Sequence, residues 1–475
     1  MSHGTDVETV QKAISHPVID ADGHMMEYYP LMLEIATELS DPSTAATALA
    51  PLTDKRWAPL RATPVDERRG QAIFRGAWWA MPAANTRDQA TAVLPGLLYE
   101  RLDELGIDFQ LAYPTYGMFC WVLRNPEHRQ LLARTYNTYC AEVYAGYRDR
   151  LEPVAVIPMH TPEEAASEIE HAVGSLGLKA IVMTGCVPRQ FDGAELPGAA
   201  WLDTVGYGSQ HDYDLVWQTC ERLGVSPAFH GIGMGWGSRT SPTNYMYNHL
   251  GHFAAANEAT CRSLLMGGAP LRFPNLTWAF LEGGVAWACQ LQLDMMEHFE
   301  KRNIDTLLAT LDPRLVDHDL LNQLYQQYAT GRMAGRDQPF AGWSRSNSDP
   351  NEEYDDDFAE SGIKSTADIV DIFGRFYFGC EADDRMNAVA FDTNLNPQGR
   401  TLHAMFASDI GHWDVPDARE CVPEAWELVE EGLISEDDFE SFTFRHPVRF
   451  LLESNPSFFD GTAIADAVVG VKAAA

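Results

Sequence analysis

The stretch Val18-Ile19-Asp20-Ala21-Asp22-Gly23-His24 decides the fold, because it is an apolar β-type run that ends in ligand-type side chains. Side chains on a strand alternate between its faces, so Asp22 and His24 are predicted to project from the same side, within reach of one cation. Near residue 409 a second β-run ends in Ser408-Asp409-Ile410-Gly411-His412. A closed parallel barrel is the simplest way to bring the first and last strands together. The two stretches therefore predict a metal-dependent enzyme.

Short apolar runs alternate with amphipathic helical patterns along the chain. The predicted strands are 18–24, 108–115, 151–159, 178–185, 226–231, 276–282, 375–382 and 402–409. Eight strand–helix units predict an α/β fold, a (β/α)8 TIM barrel. The alternative is a doubly wound open sheet, which more often binds a nucleotide at a glycine-rich first turn. The turn after the first strand has no such loop, so the barrel is favoured.

The pattern predicts a single barrel domain, 1–475, with additions at three places. Residues 38–95 and 303–372 are predicted to be insertions, and 417–475 a helical C-terminal extension. Between the strands, Asn125-Pro126 is typical of a helix start, with an Asn cap and a Pro in the first turn. A second helix is predicted over 163–176.

Composition limits the partners. The chain has 475 residues, 45% of them hydrophobic, and 34 basic against 68 acidic side chains, for a formal charge of −34. A surface this negative argues against nucleic acid and membranes as partners. The eight cysteines form no C-x-x-C pair and are predicted to be reduced thiols. With no evident secretion signal and no apolar run near the ~18 residues of a membrane span, a cytoplasmic protein is expected.

The carboxyl ends of the predicted strands converge on one mouth of a barrel, and these ends carry ligand-type residues. All of the candidates are nitrogen or oxygen donors, and none is a cysteine, so the set suits Zn, Mn or Fe. The predicted metal ligands at these ends are Asp22, His24, His230, Glu282, Asp409 and His412.

The same segments resemble a known family. The Asp-x-His opening, 203–207, the His230 strand, 272–276 leading to 280–284, and 407–414 are similar to segments of the amidohydrolase superfamily. The resemblance is to the amidohydrolase-related branch that includes aminocarboxymuconate-semialdehyde decarboxylase and aromatic acid decarboxylases. It implies that Asp22 and His24 stand for the family's first-strand His-x-His pair, His230 for its fifth-strand His, and Asp409 for its eighth-strand Asp.

Two departures from the family pattern raise the negative charge of the site. Asp22 replaces the first His, and Glu282 replaces the sixth-strand His. Both carboxylates can bridge two cations, so one or two metal ions per chain are expected. A second ion would need more nitrogen ligands, and His252 and His412 are preferred for that role, with His249 as a third choice. A surface or capping role for the helical His pair is the alternative.

A glycine-rich segment, 231–237, follows the fifth predicted strand. It lacks the remaining context of a dinucleotide site, so a flexible substrate loop over the mouth is favoured. Trp236 and Arg239 are the predicted substrate contacts.

Metal-assisted hydrolysis is the leading functional hypothesis. A metal-activated water would attack the carbonyl of an amide, ester or thioester substrate. Asp409 would hold the metal and act as general base, and Glu282 would bridge a second metal or act as that base; His230 is also assigned to the catalytic set. The alternatives are non-oxidative decarboxylation, with Arg239 as a cationic clamp, and a dinuclear Fe or Mn oxygenase. A metal-free pseudoenzyme subunit is the non-enzymatic alternative.

The expected partners are few. A small-molecule substrate follows from the enzymatic interpretation. A homo-oligomer, most simply a dimer, or pairing with a paralogous subunit is expected from the insertions and the superfamily's habit.

Overall fold

Eight parallel strands lie side by side in a barrel, in chain order except for one interposed hairpin. The computed structural model describes residues 5–77, 84–191, 200–231, 239–336 and 355–473. The barrel strands are β1 (Ile19–His24), β2 (Phe109–Tyr113), β3 (Leu151–Ile157), β4 (Ala180–Met183), β7 (Pro227–Phe229), β8 (Trp278–Phe280), β9 (Phe376–Glu381) and β10 (His403–Ala407). Each falls within a predicted strand, so the (β/α)8 prediction is confirmed.

Backbone hydrogen bonds bring the two ends of this sheet together. The His24 N–H donates to the Ile410 carbonyl at 2.9 Å, and the Asp409 N–H donates to the Asp22 carbonyl at 3.1 Å. The first strand and the segment after the last strand are therefore neighbours. This is the closure that the two ligand-bearing stretches predict.

The first strand carries a local irregularity beside its ligands. The pairing of β1 with β2 shifts between Asp20, opposite Gln110, and Gly23, opposite Ala112. A Cβ at position 23 would lie 1.8 Å from Gln110 Nε2 and 2.3 Å from Asp20 Oδ2, so only glycine fits there. Such bulges re-aim neighbouring side chains, and this one contains the predicted ligand Asp22.

Helices cover the outside of the barrel and fill the insertions and the extension. They span Val7–Ala13, Tyr29–Leu39, Pro42–Ala48, Ala58–Ala62, Val65–Arg68, Thr86–Val93, Pro95–Leu105, Pro126–Val143, Pro162–Ile169, Asp214–Leu223, Tyr245–His249, His252–Met266, Ala269–Arg272, Ala286–Arg302, Ile304–Thr310, His318–Tyr328, Thr366–Phe373, Cys421–Glu430, Glu436–Glu440, His446–Ser454 and Ala465–Ala473.

The two predicted helix starts have different outcomes. Asn125 caps the helix Pro126–Val143, its side chain accepting from the His128 N–H at 3.2 Å. The helix predicted over 163–176 is α-helical only over Pro162–Ile169, and Glu170–Ser175 continues it as a π-helical turn. Thr161 caps this helix, its hydroxyl accepting from the Glu164 N–H at 3.2 Å.

The sequence patterns missed one element, an antiparallel hairpin between β4 and β7. Its strands are β5 (Cys186–Gln190) and β6 (Ala200–Thr204). Arg189 Nε donates to Asp203 Oδ2 at 2.8 Å and holds the two strands together. Asp203, part of a segment that resembles the family, is thus a strand residue here.

One connected cluster of buried apolar side chains includes residues of both the barrel and the C-terminal extension. At the far end of the barrel, Lys179 Nζ donates to the Phe458 carbonyl at 2.7 Å, which fixes the extension against β4. All eight cysteines are buried and free, in line with the predicted thiols. Within the described ranges, no helix is both long and apolar enough to cross a bilayer. The division into a single domain stays a prediction.

Candidate metal centre

The carboxyl ends of four barrel strands bring six predicted ligands to one point. They come from β1, from the residues just after β7 and β8, and from the loop after β10. Two groups of donor atoms result, each with all its atoms within 4.8 Å of one another, and both include the same imidazole. The first group is Asp22, His24 and His230; the second is His24, Glu282, Asp409 and His412.

The donor atoms face each other across short distances. His24 Nε2 lies 3.6 Å from Asp22 Oδ1 and 3.5 Å from Asp409 Oδ1. His230 Nε2 lies 2.5 Å from Glu282 Oε2. These five atoms are buried, yet none of them has a hydrogen-bond partner in an acceptable direction. Buried polar atoms without partners are rare in folded proteins, so their convergence indicates a cation site.

Backbone carbonyls fix the orientation of two of the imidazoles. His24 Nδ1 lies 3.0 Å from the Pro114 carbonyl, and His230 Nδ1 lies 2.8 Å from the Gly231 carbonyl. With Nδ1 donating to a carbonyl, Nε2 is the ring atom that faces the cluster and that a metal ion would bind. This is the arrangement that metal-binding histidines ordinarily adopt.

Asp20 supports the cluster from behind. It accepts hydrogen bonds from the Ser408 N–H at 3.0 Å and the Ser408 hydroxyl at 2.5 Å, and from the Asp22 N–H at 3.3 Å. Burial raises the pKa of Asp20 to about 6, against the hydrogen bonds from Ser408. One carboxylate thus ties the backbone of the first ligand strand to the loop that carries Asp409.

Two of the ligands stand on left-handed backbone. Glu282 has φ of 58° and Asp409 has φ of 52°, both at the point where the chain leaves a barrel strand. Such a conformation costs a non-glycine residue roughly 1–3 kcal/mol, and it is found most often at functional sites. The strain is consistent with side chains that are aimed at a common point.

Burial and close charges shift the pKa values of the cluster in opposite directions. Burial raises the pKa of Asp22 and of Asp409 well above the usual range, and it lowers the pKa of His24 well below it. Burial also lowers the pKa of His230, but Glu282 outweighs it and raises that pKa to about 9. The pKa of Glu282 is lowered because the charge of His230 outweighs its burial. Without a cation, this many buried carboxylates are costly, and a divalent ion would compensate them.

A cavity of about 410 Å³ opens onto one side of the cluster. His230, Glu282 and His412 are the cluster residues that border it. Most of its remaining lining is apolar or aromatic, and neither lysine nor arginine lines it among the described residues. The apolar lining side chains include Trp57, Leu60, Ile73, Phe74, Met118, Phe119, Val122, Phe253 and Trp413.

The other predicted site residues within the described ranges are not members of the two ligand groups. His252 is buried as the first residue of its helix, with its ring edge-on to Phe253, and it belongs to neither ligand group. His249 lies on the cavity wall, its ring 5.6 Å from that of Trp413. Arg239 Nε donates to the Leu250 carbonyl at 2.8 Å and is not part of the cavity lining, so it is not placed as a clamp. Trp236 lies outside the described residues.

Two supporting residues, Glu27 and Asp20, have no signal in the sequence patterns. Glu27 is buried and accepts from the N–H groups of Thr115, Tyr116 and Gly117 at 2.8–3.3 Å, which holds the loop after β2 against the cavity. The Thr115 hydroxyl lies 3.3 Å from His412 Nε2. Asp20 stands in the opening stretch, but its support of Ser408 depends on a contact 388 residues away. Spacing alone finds neither.

Comparisons with known proteins identify the family of this chain and structures of similar fold. A sequence model of the amidohydrolase family matches residues 19–307. An amidohydrolase from Mycobacterium avium subsp. paratuberculosis K-10 superposes with a TM-score of 0.54 at 14% identity, over 92% of this chain and 98% of that one. For 2,6-dihydroxybenzoate decarboxylase from Rhizobium the TM-score is 0.52 at 13% identity, over 92% and 99%.

A third solved structure contains a metal ion. It is a dihydroxybenzoic acid decarboxylase from Polaromonas sp. JS666 with bound manganese and the inhibitor 2-nitroresorcinol. Its TM-score is 0.50 at 14% identity, over 92% of this chain and 97% of that one. At these identities the three structures show a shared fold.

Proposed function

This chain belongs to the amidohydrolase family, and from that premise we propose that it is a metal-dependent, non-oxidative decarboxylase of an aromatic carboxylic acid. The observation that carries the proposal is the contact between the donor cluster and the cavity. Buried donor atoms without hydrogen-bond partners border a space with apolar and aromatic walls. That space suits an aromatic body whose one polar group faces the cluster.

The donor set fits a divalent ion of the Mn, Fe or Zn type. Asp22, His24, His230 and Asp409 would hold it, the residues that match the family's ligand positions. When bound, the ion supplies positive charge that attracts a substrate carboxylate and an adjacent oxygen. The manganese in a decarboxylase of the same fold supports this assignment.

The reaction needs no oxidant and no co-substrate other than a proton. The bond between the ring carbon and the carboxylate breaks, its electron pair stays on the ring carbon, and carbon dioxide leaves. That carbon then takes up a proton. Glu282 is assigned the relay of this proton from solvent to the ring carbon, because it borders the cavity and its lowered pKa makes its protonated form a ready donor.

We prefer decarboxylation to the hydrolysis that the sequence patterns put first. The Arg239 clamp that decarboxylation was expected to need is not part of the lining, so the metal is left as the attractor of the carboxylate. Two of the solved structures with this fold are named as decarboxylases of hydroxylated benzoic acids, which supports the same choice.

The test is release of carbon dioxide from a panel of hydroxybenzoic acids by Mn-loaded and metal-stripped protein, with oxygen consumption recorded in parallel. The proposal expects metal-dependent carbon dioxide release with no oxygen uptake. Glu282→Gln should lower kcat by roughly 10²–10⁴-fold, the usual range for an acid–base group. Glu297→Gln, on an exposed helix face, is the matched control and should leave kcat unchanged.

Two outcomes would contradict the proposal. Metal-dependent cleavage of esters, amides or lactones without carbon dioxide release would restore hydrolysis. Oxygen uptake with two irons per chain would indicate the oxygenase.

A further inference from the structure

The insertion after β1 forms one wall of the cavity, and the residues of this wall are distant in sequence from every predicted ligand. Trp57, Leu60, Ile73 and Phe74 contribute it, and we call residues 57–77 the wall segment. Leu60 is buried, whereas the other three are only half-buried although they are large and apolar. They face the same cavity as Glu282 and His412.

Specific hydrogen bonds dock the wall segment onto the barrel. The Arg75 N–H donates to the Ser241 carbonyl at 3.0 Å, and Asn248 Nδ2 donates to the Arg75 carbonyl at 2.9 Å. Asn248 is fully buried, and it also bonds both backbone groups of Ser241. The Arg75 guanidinium in turn covers the Trp57 ring at 5.9 Å. The wall segment is therefore held by the loop after β7, which also supplies Tyr245 and His249 to the cavity.

The loop after β2 adds further apolar lining to the cavity. Met118, Phe119 and Val122 line the cavity there. Val122 is 44% exposed, so part of this apolar surface faces the open space. At about 410 Å³ the cavity lies in the range of about 300–1,000 Å³ that is usual for ligand pockets.

The charges in the lining are confined to the metal end. Asp414 and Glu282 are acidic and lie with His412 at that end, and within the described residues no basic side chain other than histidine lines the cavity. A second anionic group on a ligand would thus find no basic partner among the described side chains that line the wall, and burying it against them would be costly.

We propose that the wall segment is a specificity site for an uncharged, apolar body that extends from the group that reacts at the metal end. This inference rests on the proposed function only for the identity of that reacting group. The wall residues themselves recognise size and lack of charge. Phe74 and Val122 face the same space from two different loops and are assigned as determinants of that recognition.

The test uses N-phenyl-1-naphthylamine, an uncharged two-ring fluorescent probe, titrated into the Mn-loaded full-length protein. We expect saturable binding that Phe74→Asp weakens by about tenfold or more, since a buried charge would replace an apolar contact. Phe191→Asp places the same substitution on an exposed side chain outside the cavity lining, and it should change the affinity by less than about twofold. Thermal unfolding checks that each variant is folded.

Val122→Asp is the second variant, for use if Phe74→Asp fails to fold. Val122 is partly exposed, so the folded protein tolerates a charge at that position. This variant too should weaken the probe, and unchanged affinity in a folded Phe74→Asp or Val122→Asp protein would overturn the proposal. Absence of saturable binding, or tighter binding of the cationic probe dansylcadaverine, would do the same. The probe carries no carboxylate, so its binding result stands apart from carbon dioxide release and separates this inference from the proposed reaction.

Discussion

At the scale of single residues, the cluster depends on how β1 presents its side chains. Asp20, Asp22 and His24 alternate along one strand, yet they serve different purposes. Asp22 and His24 offer donor atoms to the cluster, whereas Asp20 accepts hydrogen bonds from Ser408 and from the Asp22 N–H. A bulge accompanies this division of roles, since the pairing of β1 with β2 shifts between Asp20 and Gly23.

Gly23→Ala tests that local arrangement. The added Cβ would lie 1.8 Å from the buried Gln110 side chain, so the free energy of unfolding should fall by about 1–3 kcal/mol, as for overpacking in a core. Gly174→Ala is the control, because its Cβ would meet nothing within 4 Å and should leave stability equal or about 0.4–1 kcal/mol higher. Urea denaturation of both variants makes the comparison. Equal stabilities would mean that β1 relaxes freely around position 23.

At the scale of elements, buried side chains complete the hydrogen bonding of the strands. Asn137, on the helix Pro126–Val143, accepts from the Val156 N–H at 2.9 Å and donates to the Val156 carbonyl at 3.0 Å and to Glu168 at 2.8 Å. It replaces the strand partner that β2 no longer supplies this far along β3.

Asn137→Ala should therefore lower the free energy of unfolding by about 2–3 kcal/mol, because it leaves both backbone groups of Val156 buried without partners. Thr138→Ala, the next residue of the same helix, removes only a bond to the Arg134 carbonyl and should cost less than about 0.5 kcal/mol. Chemical denaturation measures both. A small loss for Asn137→Ala would show that water or a rearranged strand replaces the amide.

The sequence predicts the elements best where a pattern is local. All eight barrel strands follow from apolar runs, because such strands are buried on both faces. The hairpin β5–β6 was missed since its strands are short and partly exposed, and Pro188 lies inside one of them. Six of the predicted ligands meet because each ends a strand or follows one closely. The placement of His252 depends instead on how its helix packs, which no local pattern fixes.

At the scale of the whole molecule, buried histidines outside the site make stability depend on pH. The rings of His403 and His446 lie 4.8 Å apart beneath the barrel, and His446 Nδ1 bonds the Ala404 carbonyl at 2.8 Å. Burial lowers the pKa of His446 to about 4, and it lowers the pKa of His403 well below the usual range. Both side chains are thus neutral in the folded chain at pH 7.

Because these pKa values are depressed on folding, the unfolded chain takes up protons first. Stability is complete above the ordinary histidine pKa of about 6.5 and declines as the pH falls toward 4, by up to about 1.4 kcal/mol per pH unit for each histidine. His446→Gln should make the decline of stability with falling pH shallower, because one fewer proton is taken up on unfolding. His298→Gln, on an exposed helix face, is the control and should leave the decline unchanged. Denaturation curves between pH 7 and pH 4 test this. An unchanged slope for His446→Gln would show that its titration is not coupled to folding.

The expected homo-oligomer stays a prediction, and one surface is suited to testing it. In the helix His318–Tyr328, Leu320 and Leu324 are 49% and 43% exposed and recur at a spacing of four residues. If a second copy covers them, Leu320→Glu with Leu324→Glu should convert a dimer to a monomer in light-scattering mass measurements. Leu433→Glu on another face is the control. A dimer that withstands the double change would place the interface elsewhere.

The binding of a divalent ion by the six converging ligands underlies the proposed function. The measurement is Mn²⁺ binding by calorimetry, with metal content by mass spectrometry, for the unmodified chain, Asp409→Asn and the exposed control Asp294→Asn. We expect one or two ions per chain for the unmodified protein and for the control. Asp409→Asn should bind Mn²⁺ at least about tenfold more weakly than the unmodified protein. Failure of the unmodified chain to bind Mn²⁺, Zn²⁺ or Fe²⁺, or equal affinity in all three proteins, would contradict this expectation.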